Sequence, residues 1–111
     1  MEGGTPMGGR ERGPLTEAMF YTLMVLARRD VCGTEIAQEV AERTAGRVRL
    51  GPGTLYTLLG KFLEERYIRE TETGDAGRRR TYHLTEAGRA AYLAELQRLK
   101  QCVLDAEEEL P

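Results

Sequence analysis

Residues 51 to 84 constrain this chain more than any other stretch. They run Gly-Pro-Gly-Thr-Leu-Tyr-Thr-Leu-Leu-Gly-Lys-Phe-Leu-Glu-Glu, then Tyr67 and Ile68, then a Gly74-Asp-Ala-Gly-Arg-Arg-Arg-Thr-Tyr-His-Leu84 segment. Leu55, Leu59, Phe62 and Leu63 recur at the i, i+4, i+7, i+8 spacing of a helix with one buried stripe, and Leu58 widens it. Pro52 suits the first helical position, because its φ is already helical and its missing N–H would have no partner there. The opposite face is Gly53, Thr54, Thr57, Gly60, Lys61 and Glu64. Its small side chains let the backbone approach an anion or a groove closely at the helix N-terminus. An ordinary amphipathic helix with a small-residue face would share this pattern.

The following segment adds a hairpin. Ile68 to Thr73 and Arg78 to Leu84 are short alternating or β-branched runs separated by a glycine-rich turn. Arg78, Arg79 and Arg80 leave that turn within reach of a phosphate backbone, although such charges also serve to block edge pairing of a strand. A helix followed directly by a basic-tipped hairpin is the order of elements with which a winged helix-turn-helix addresses DNA.

Gly53-Thr-Leu-Tyr56, Lys61, the Glu64-Glu65-x-Tyr67-Ile68 helix exit and Arg79-Arg80-x-Tyr82-x-Leu84-Thr85-Glu86-Ala87-Gly88 together resemble the PadR family of bacterial transcriptional regulators. Leu15 to Ala27 is similar to the family's first helix, and Gly33-Thr34-Glu35-Ile36 to its second-helix motif, so the resemblance spans residues 15 to 110. It implies a dimeric repressor of the bacterial cytoplasm. Relatives sense phenolic acids or bulky aromatic drugs between the first and last helices. By that resemblance Met19, Tyr21, Met24 and Tyr92 are candidates to line an effector cavity, the effector itself being unknown; each of them also suits plain core. Thr34, where the family usually has tyrosine, Thr57 and Gly60, at positions often basic, and Arg66, in place of a frequent helix-ending glycine, depart from the pattern.

Elsewhere, Leu15 to Arg28 reads as a first helix capped by Thr16 and apolar on nearly every side, and Gly33 to Arg43 as a second. Arg47 to Leu50 is short enough to add only a small strand beside the hairpin. Thr85 caps a last helix, Glu86 to Leu110. Within it Tyr92, Leu96, Leu99, Val103, Ala106 and Leu110 step by four and three, the rhythm of a coiled-coil seam. A helix of that length reaches ~37 Å and overshoots so small a domain, which favours a seam between two copies over a dock against the first helix. Phe20 and Met24 of the first helix join that expected dimer interface.

The expected fold is mainly α with a small β-hairpin wing. It comprises a disordered segment over residues 1–14, a winged helix-turn-helix domain over 15–84 and a C-terminal dimerisation helix over 85–111. One domain of this size leaves a core that is marginal for a monomer. The formal net charge is -2, but residues 15–84 carry 11 Lys and Arg against 10 Asp and Glu, whereas residues 85–111 carry 3 against 6. Local potential decides nucleic-acid affinity, so a positive footprint from Arg47, Arg49, Lys61 and the wing arginines is compatible with the total.

Catalytic chemistry finds no support. His83 is the single histidine and has no partner for a metal site, serine is absent, and no glycine-rich loop carries the lysine spacing of a phosphate-binding loop. No metal and no cofactor is expected. Cys32 and Cys102 lack any Cys-x-x-Cys spacing and read as two isolated thiols, a redox sensor being the minor alternative. No apolar run approaches the roughly 18 residues of a membrane span, and the start lacks a secretion signal, which places the chain in the cytoplasm.

Two functions remain open on the residues alone. In the first, a homodimer reads a palindromic site on double-stranded DNA. Pro52, Gly53, Thr54, Tyr56, Thr57 and Lys61 then meet the duplex from the helix, with Arg47 and Arg49 in the positive footprint and Arg78 to Arg80 along the backbone or minor groove. In the second, the same helix serves a winged-helix protein–protein interaction module without DNA readout.

Overall fold

The computed structural model describes residues 14–71 and 80–111. Along these the chain forms α1 (Glu17–Arg28), β1 (Val31–Cys32), α2 (Gly33–Arg43), α3 (Pro52–Glu64), β2 (Ile68–Thr71), β3 (Thr81–Leu84) and α4 (Glu86–Glu108). The three strands make one antiparallel sheet in the order β1-β3-β2, with Val31 opposite Tyr82 and Ile68 opposite Leu84.

The core gathers one face of each of the first three helices and of the sheet. Leu23, Val25 and Leu26 of α1 meet Ile36 and Val40 of α2, Leu55, Leu58, Leu59 and Phe62 of α3, and Val31, Ile68, Tyr82 and Leu84 of the sheet. Thr22 lies fully buried among them, and its hydroxyl donates to the Ala18 carbonyl at 2.8 Å, so this buried hydroxyl is paired.

Helix starts follow the caps expected from sequence. The Thr16 hydroxyl accepts from the Met19 amide at 3.1 Å, and the Thr85 hydroxyl from the Gly88 amide at 3.1 Å. At the start of α2, Glu35 reaches back to the Cys32 amide at 3.1 Å. α3 opens on Pro52 after Gly51, in keeping with the fixed φ of proline.

The end of α3 explains the departure at Arg66. The Tyr67 amide donates to the Phe62 carbonyl (2.9 Å) and the Arg66 amide to that of Leu63 (3.1 Å), while the Tyr67 ring lies 5.9 Å from that of Phe62. This is a Schellman closure, whose penultimate residue must be left-handed, and Arg66 has φ 65°. A side chain there costs about 1 kcal/mol or more relative to glycine. Arg66→Gly is therefore expected to stabilise the fold by roughly 0.5–1 kcal/mol, seen as a raised midpoint in urea unfolding. A lowered midpoint would mean that the Arg66 side chain makes compensating contacts.

Three expectations are corrected. Arg47 to Leu50 forms no strand; the third strand is Val31–Cys32, which pairs with the free edge of β3. α4 ends at Glu108, so Leu110 lies just beyond the helix expected to include it. The second hairpin run is strand only from Thr81, because Arg80 precedes β3; Glu72 and Thr73, which end the first run, lie outside the described residues. Arg78 and Arg79 lie outside the described residues.

α4 divides into two parts. Its first half packs on α1: Tyr92 sits against the Phe20 ring at 5.3 Å, and Glu95 is 7% exposed. The Arg98 guanidinium beside Glu95 (Nε to Oε1, 3.0 Å), joined by the Leu15 amide, holds the Glu95 carboxyl below the usual carboxylate range against the opposing effect of burial. From Lys100 onward every residue is exposed, including the apolar Val103, Leu104 and Leu110. α4 thus docks on α1 with its first half and leaves its second half exposed.

Candidate nucleic-acid interface

α3 carries a continuous solvent-facing surface. Pro52, Gly53, Thr54, Tyr56, Thr57, Gly60, Lys61 and Glu64 are all exposed, and Tyr56 retains 55% of its accessible surface. A Cβ built on Gly53 or Gly60 would meet nothing within 4 Å, so neither glycine is required by packing within this chain. Leu55, Leu58, Leu59 and Phe62 anchor the opposite side in the core, which fixes the rotation of α3 about its axis. Leu63, counted in the apolar stripe, is only half-buried.

The Tyr56 phenol lies over the start of α2. Its oxygen would be 3.3 Å from a Cβ on Gly33, so Gly33 leaves room for the ring. Tyr56 therefore stands beside the first residue of α2. Thr34, exposed at the start of α2, places its hydroxyl 3.3 Å from the Cys32 sulfur. Tyr82, buried behind this corner, has its phenol pKa raised, chiefly by burial.

The basic residues differ in what they engage. Arg80 is exposed at the start of β3 and pairs with Glu70 across the hairpin at 2.8 Å. An exposed pair of this kind is worth about 1 kcal/mol or less, so a phosphate can displace the carboxylate. Lys61 is exposed in the last turn of α3. Arg49 donates from Nε to the Gly46 carbonyl at 3.1 Å and stays on the surface of the α2–α3 turn. Arg47 is turned toward α1, where it is ion-paired with Glu17 and donates to the Tyr21 hydroxyl at 3.4 Å. Hydrogen bonding to Glu17 first and to Tyr21 second raises its pKa further. That engagement could not be read from spacing, because the partners lie 30 and 26 residues away.

His83, on the wing strand, pairs through Nδ1 with Asp30 at 2.9 Å. Among the described residues no group of three or more His, Cys, Asp or Glu is placed to hold a metal ion. None of the described helices is long and apolar enough to cross a membrane.

Met19, Tyr21 and Tyr92 pack partly against the core, and Phe20 and Met24 are half-buried on α1. A groove of about 460 Å³ beside α4 is lined instead by Leu15, Tyr67, Ala91, Ala94, Glu95 and Arg98 among others. It shares none of the four residues expected to line an effector cavity.

The model of the transcriptional regulator PadR-like family matches residues 22–94, from α1 through the wing to the docked half of α4. The chain belongs to this family. As a PadR-like regulator it is 35% identical over 77 residues to an uncharacterized protein of Lysinibacillus sphaericus, a match that covers 67% of this chain and 69% of that protein. Its fold is similar to that of a transcriptional regulator from Clostridium thermocellum, with TM-score 0.73, 19% identity and coverage of 84% of this chain and 92% of the other. A PadR family transcription regulator from Clostridium difficile is similar at TM-score 0.68 and 24% identity, over 82% of this chain and 97% of that one. PadR-family regulators bind DNA, commonly act as dimers and are not enzymes. This PadR-like protein is a regulator of transcription, and its winged helix is the element suited to DNA.

Proposed function

We propose that this PadR-like regulator is a ligand-responsive repressor that binds a palindromic operator as a homodimer. The observation that carries the DNA half is the outer face of α3, exposed from Pro52 to Glu64 and anchored from behind by four buried side chains. Gly53, Thr54 and Thr57 in its first turns meet base edges in the major groove, with Tyr56 on a phosphate and Lys61 a turn further along. Arg49, Arg80 and the neighbouring Arg78 and Arg79 supply backbone contacts that carry no sequence information.

Dimerisation is supported by the exposed apolar surface of α4 beyond Lys100, together with Phe20, Met24, Tyr92, Leu96 and Leu99, which are only half-buried in the single chain. Covering this surface with a second copy would also bury the Phe20–Tyr92 pair. An apolar, aromatic space between α1 and α4 of the two copies is the place for a small aromatic effector, lined by Met19, Tyr21, Met24 and Tyr92.

The test is binding of a duplex selected from a random pool, followed across salt. Lys61→Ala should reduce the dependence of log K on log salt by about one, uniformly across sequences. Thr57→Ala should change preference by roughly 1–3 kcal/mol at one base pair of each half-site, at mirrored positions. Binding that ignores salt and is untouched by both substitutions would make α3 a protein-contact surface instead.

A further inference from the structure

The turn between α2 and α3 is a closed, hydrogen-bonded unit. Buried Thr44 donates to the Val40 carbonyl at 2.9 Å and accepts from the Val48 amide at 3.0 Å. The Gly46 amide returns to the Ala41 carbonyl at 2.7 Å, and Gly46 holds φ 81°. Leu50 then enters the core, and α3 begins after Gly51. These bonds fix the path of the chain from the end of α2 into α3.

Within that unit Arg47 reaches out to α1. Its guanidinium engages two side chains one helical turn apart on α1, Glu17 and Tyr21, a spacing that a planar fork of donors can span. The Tyr21 ring stands edge-on to Phe20, with centroids 6.3 Å apart, and Phe20 lies against Tyr92 of α4 at 5.3 Å. A continuous set of contacts therefore runs from the α1–α4 junction to the turn that carries the recognition helix.

We propose that Arg47 is a positioning residue and not a DNA contact: by tying the α2–α3 turn to Glu17 and Tyr21, it sets the angle at which α3 is presented and links that angle to the α1–α4 junction. This rests on the DNA reading of α3 proposed above. An arginine free to contact phosphate would be restrained by Glu17, and removing the acid would release it to the duplex. An arginine that positions the turn needs the acid, and removing it loosens α3. The two roles thus predict opposite signs for the same substitution.

The experiment measures affinity for the duplex selected by the parent chain, from low to moderate salt, for the full-length chain and the variants Glu17→Gln and Arg47→Gln. Circular dichroism verifies that each is folded. Glu17 and Arg47 side chains are both more than half exposed, so both variants should fold. The expected result is a roughly three- to fivefold weakening by each, the scale of one exposed, well-formed pair, with the salt slope unchanged in both. The charge-swapped double variant Glu17→Arg/Arg47→Glu should recover at least part of the loss. Tighter binding by Glu17→Gln, or a slope reduced by about one in Arg47→Gln, would make Arg47 a phosphate contact and overturn the positioning role while leaving the DNA reading intact. A parent chain that selects no duplex would overturn both.

Discussion

Replacing Gly88 with alanine is expected to cost about 3 kcal/mol of stability, near the upper end for an overpacked site. A Cβ at Gly88 would stand 2.1 Å from the Tyr67 carbonyl oxygen and 2.7 Å from a Leu84 methyl. The first obstacle is backbone, which no rotamer change relieves. It is also pinned, since the same Tyr67 oxygen accepts from the Thr85 amide at 2.9 Å, and the Arg66 carbonyl accepts from the Thr85 hydroxyl at 2.6 Å. Making room for one methyl group means lifting the first turn of α4 off the exit of α3. For a domain of this size the loss corresponds to a fall in melting temperature of roughly 12 °C or more. Thermal unfolding followed by circular dichroism measures it, and a change of only a few degrees would show that α4 can shift at little cost. A glycine is required here for space alone, because its φ is not in the left-handed region.

The second large effect concerns assembly. The double substitution Leu99→Glu/Val103→Glu is expected to yield a folded monomer with duplex affinity lower by roughly two orders of magnitude or more, because two linked half-site contacts become two separate ones. Val103 is 54% exposed in the single chain, and everything beyond Lys100 stands clear of the core. A charge at position 103 disturbs little within the protomer, whereas Leu99 is half-buried and the fold of the variant is verified by circular dichroism. In a seam between copies the two charges would be desolvated and repel their symmetry mates. Light scattering gives the mass and gel retardation the affinity. A variant that still scatters as a dimer would move the interface away from this stretch of α4.

The elements with short-range chemistry are legible in the residues themselves. Gly33–Arg43 follows from helical periodicity bounded by turn residues, the Thr16 and Thr85 caps from a hydroxyl placed just before an apolar run, and the start of α3 from Pro52. The outward face of α3 follows as well, because a 3.6-residue period leaves one set of positions once Leu55, Leu59 and Phe62 are assigned inward. Arg66 stands out as a departure, and its left-handed φ supplies the reason why glycine would serve better there.

What local pattern could not decide involves groups brought together from far along the chain. Val31–Cys32 is too short to announce itself as a strand and becomes one because β3 offers it an open edge. Arg47 belongs by spacing with the basic residues around α3, yet the fold brings Glu17 and Tyr21 to it from the start of the chain. The seam of α4 has one uniform rhythm in sequence, whereas its first half is occupied by α1 and its second half is left open. Periodicity specifies which face of a helix is apolar, and the length and composition of a segment specify whether it can be a helix at all. Only the packed arrangement determines what that face meets, because the partner is chosen by the path of the whole chain.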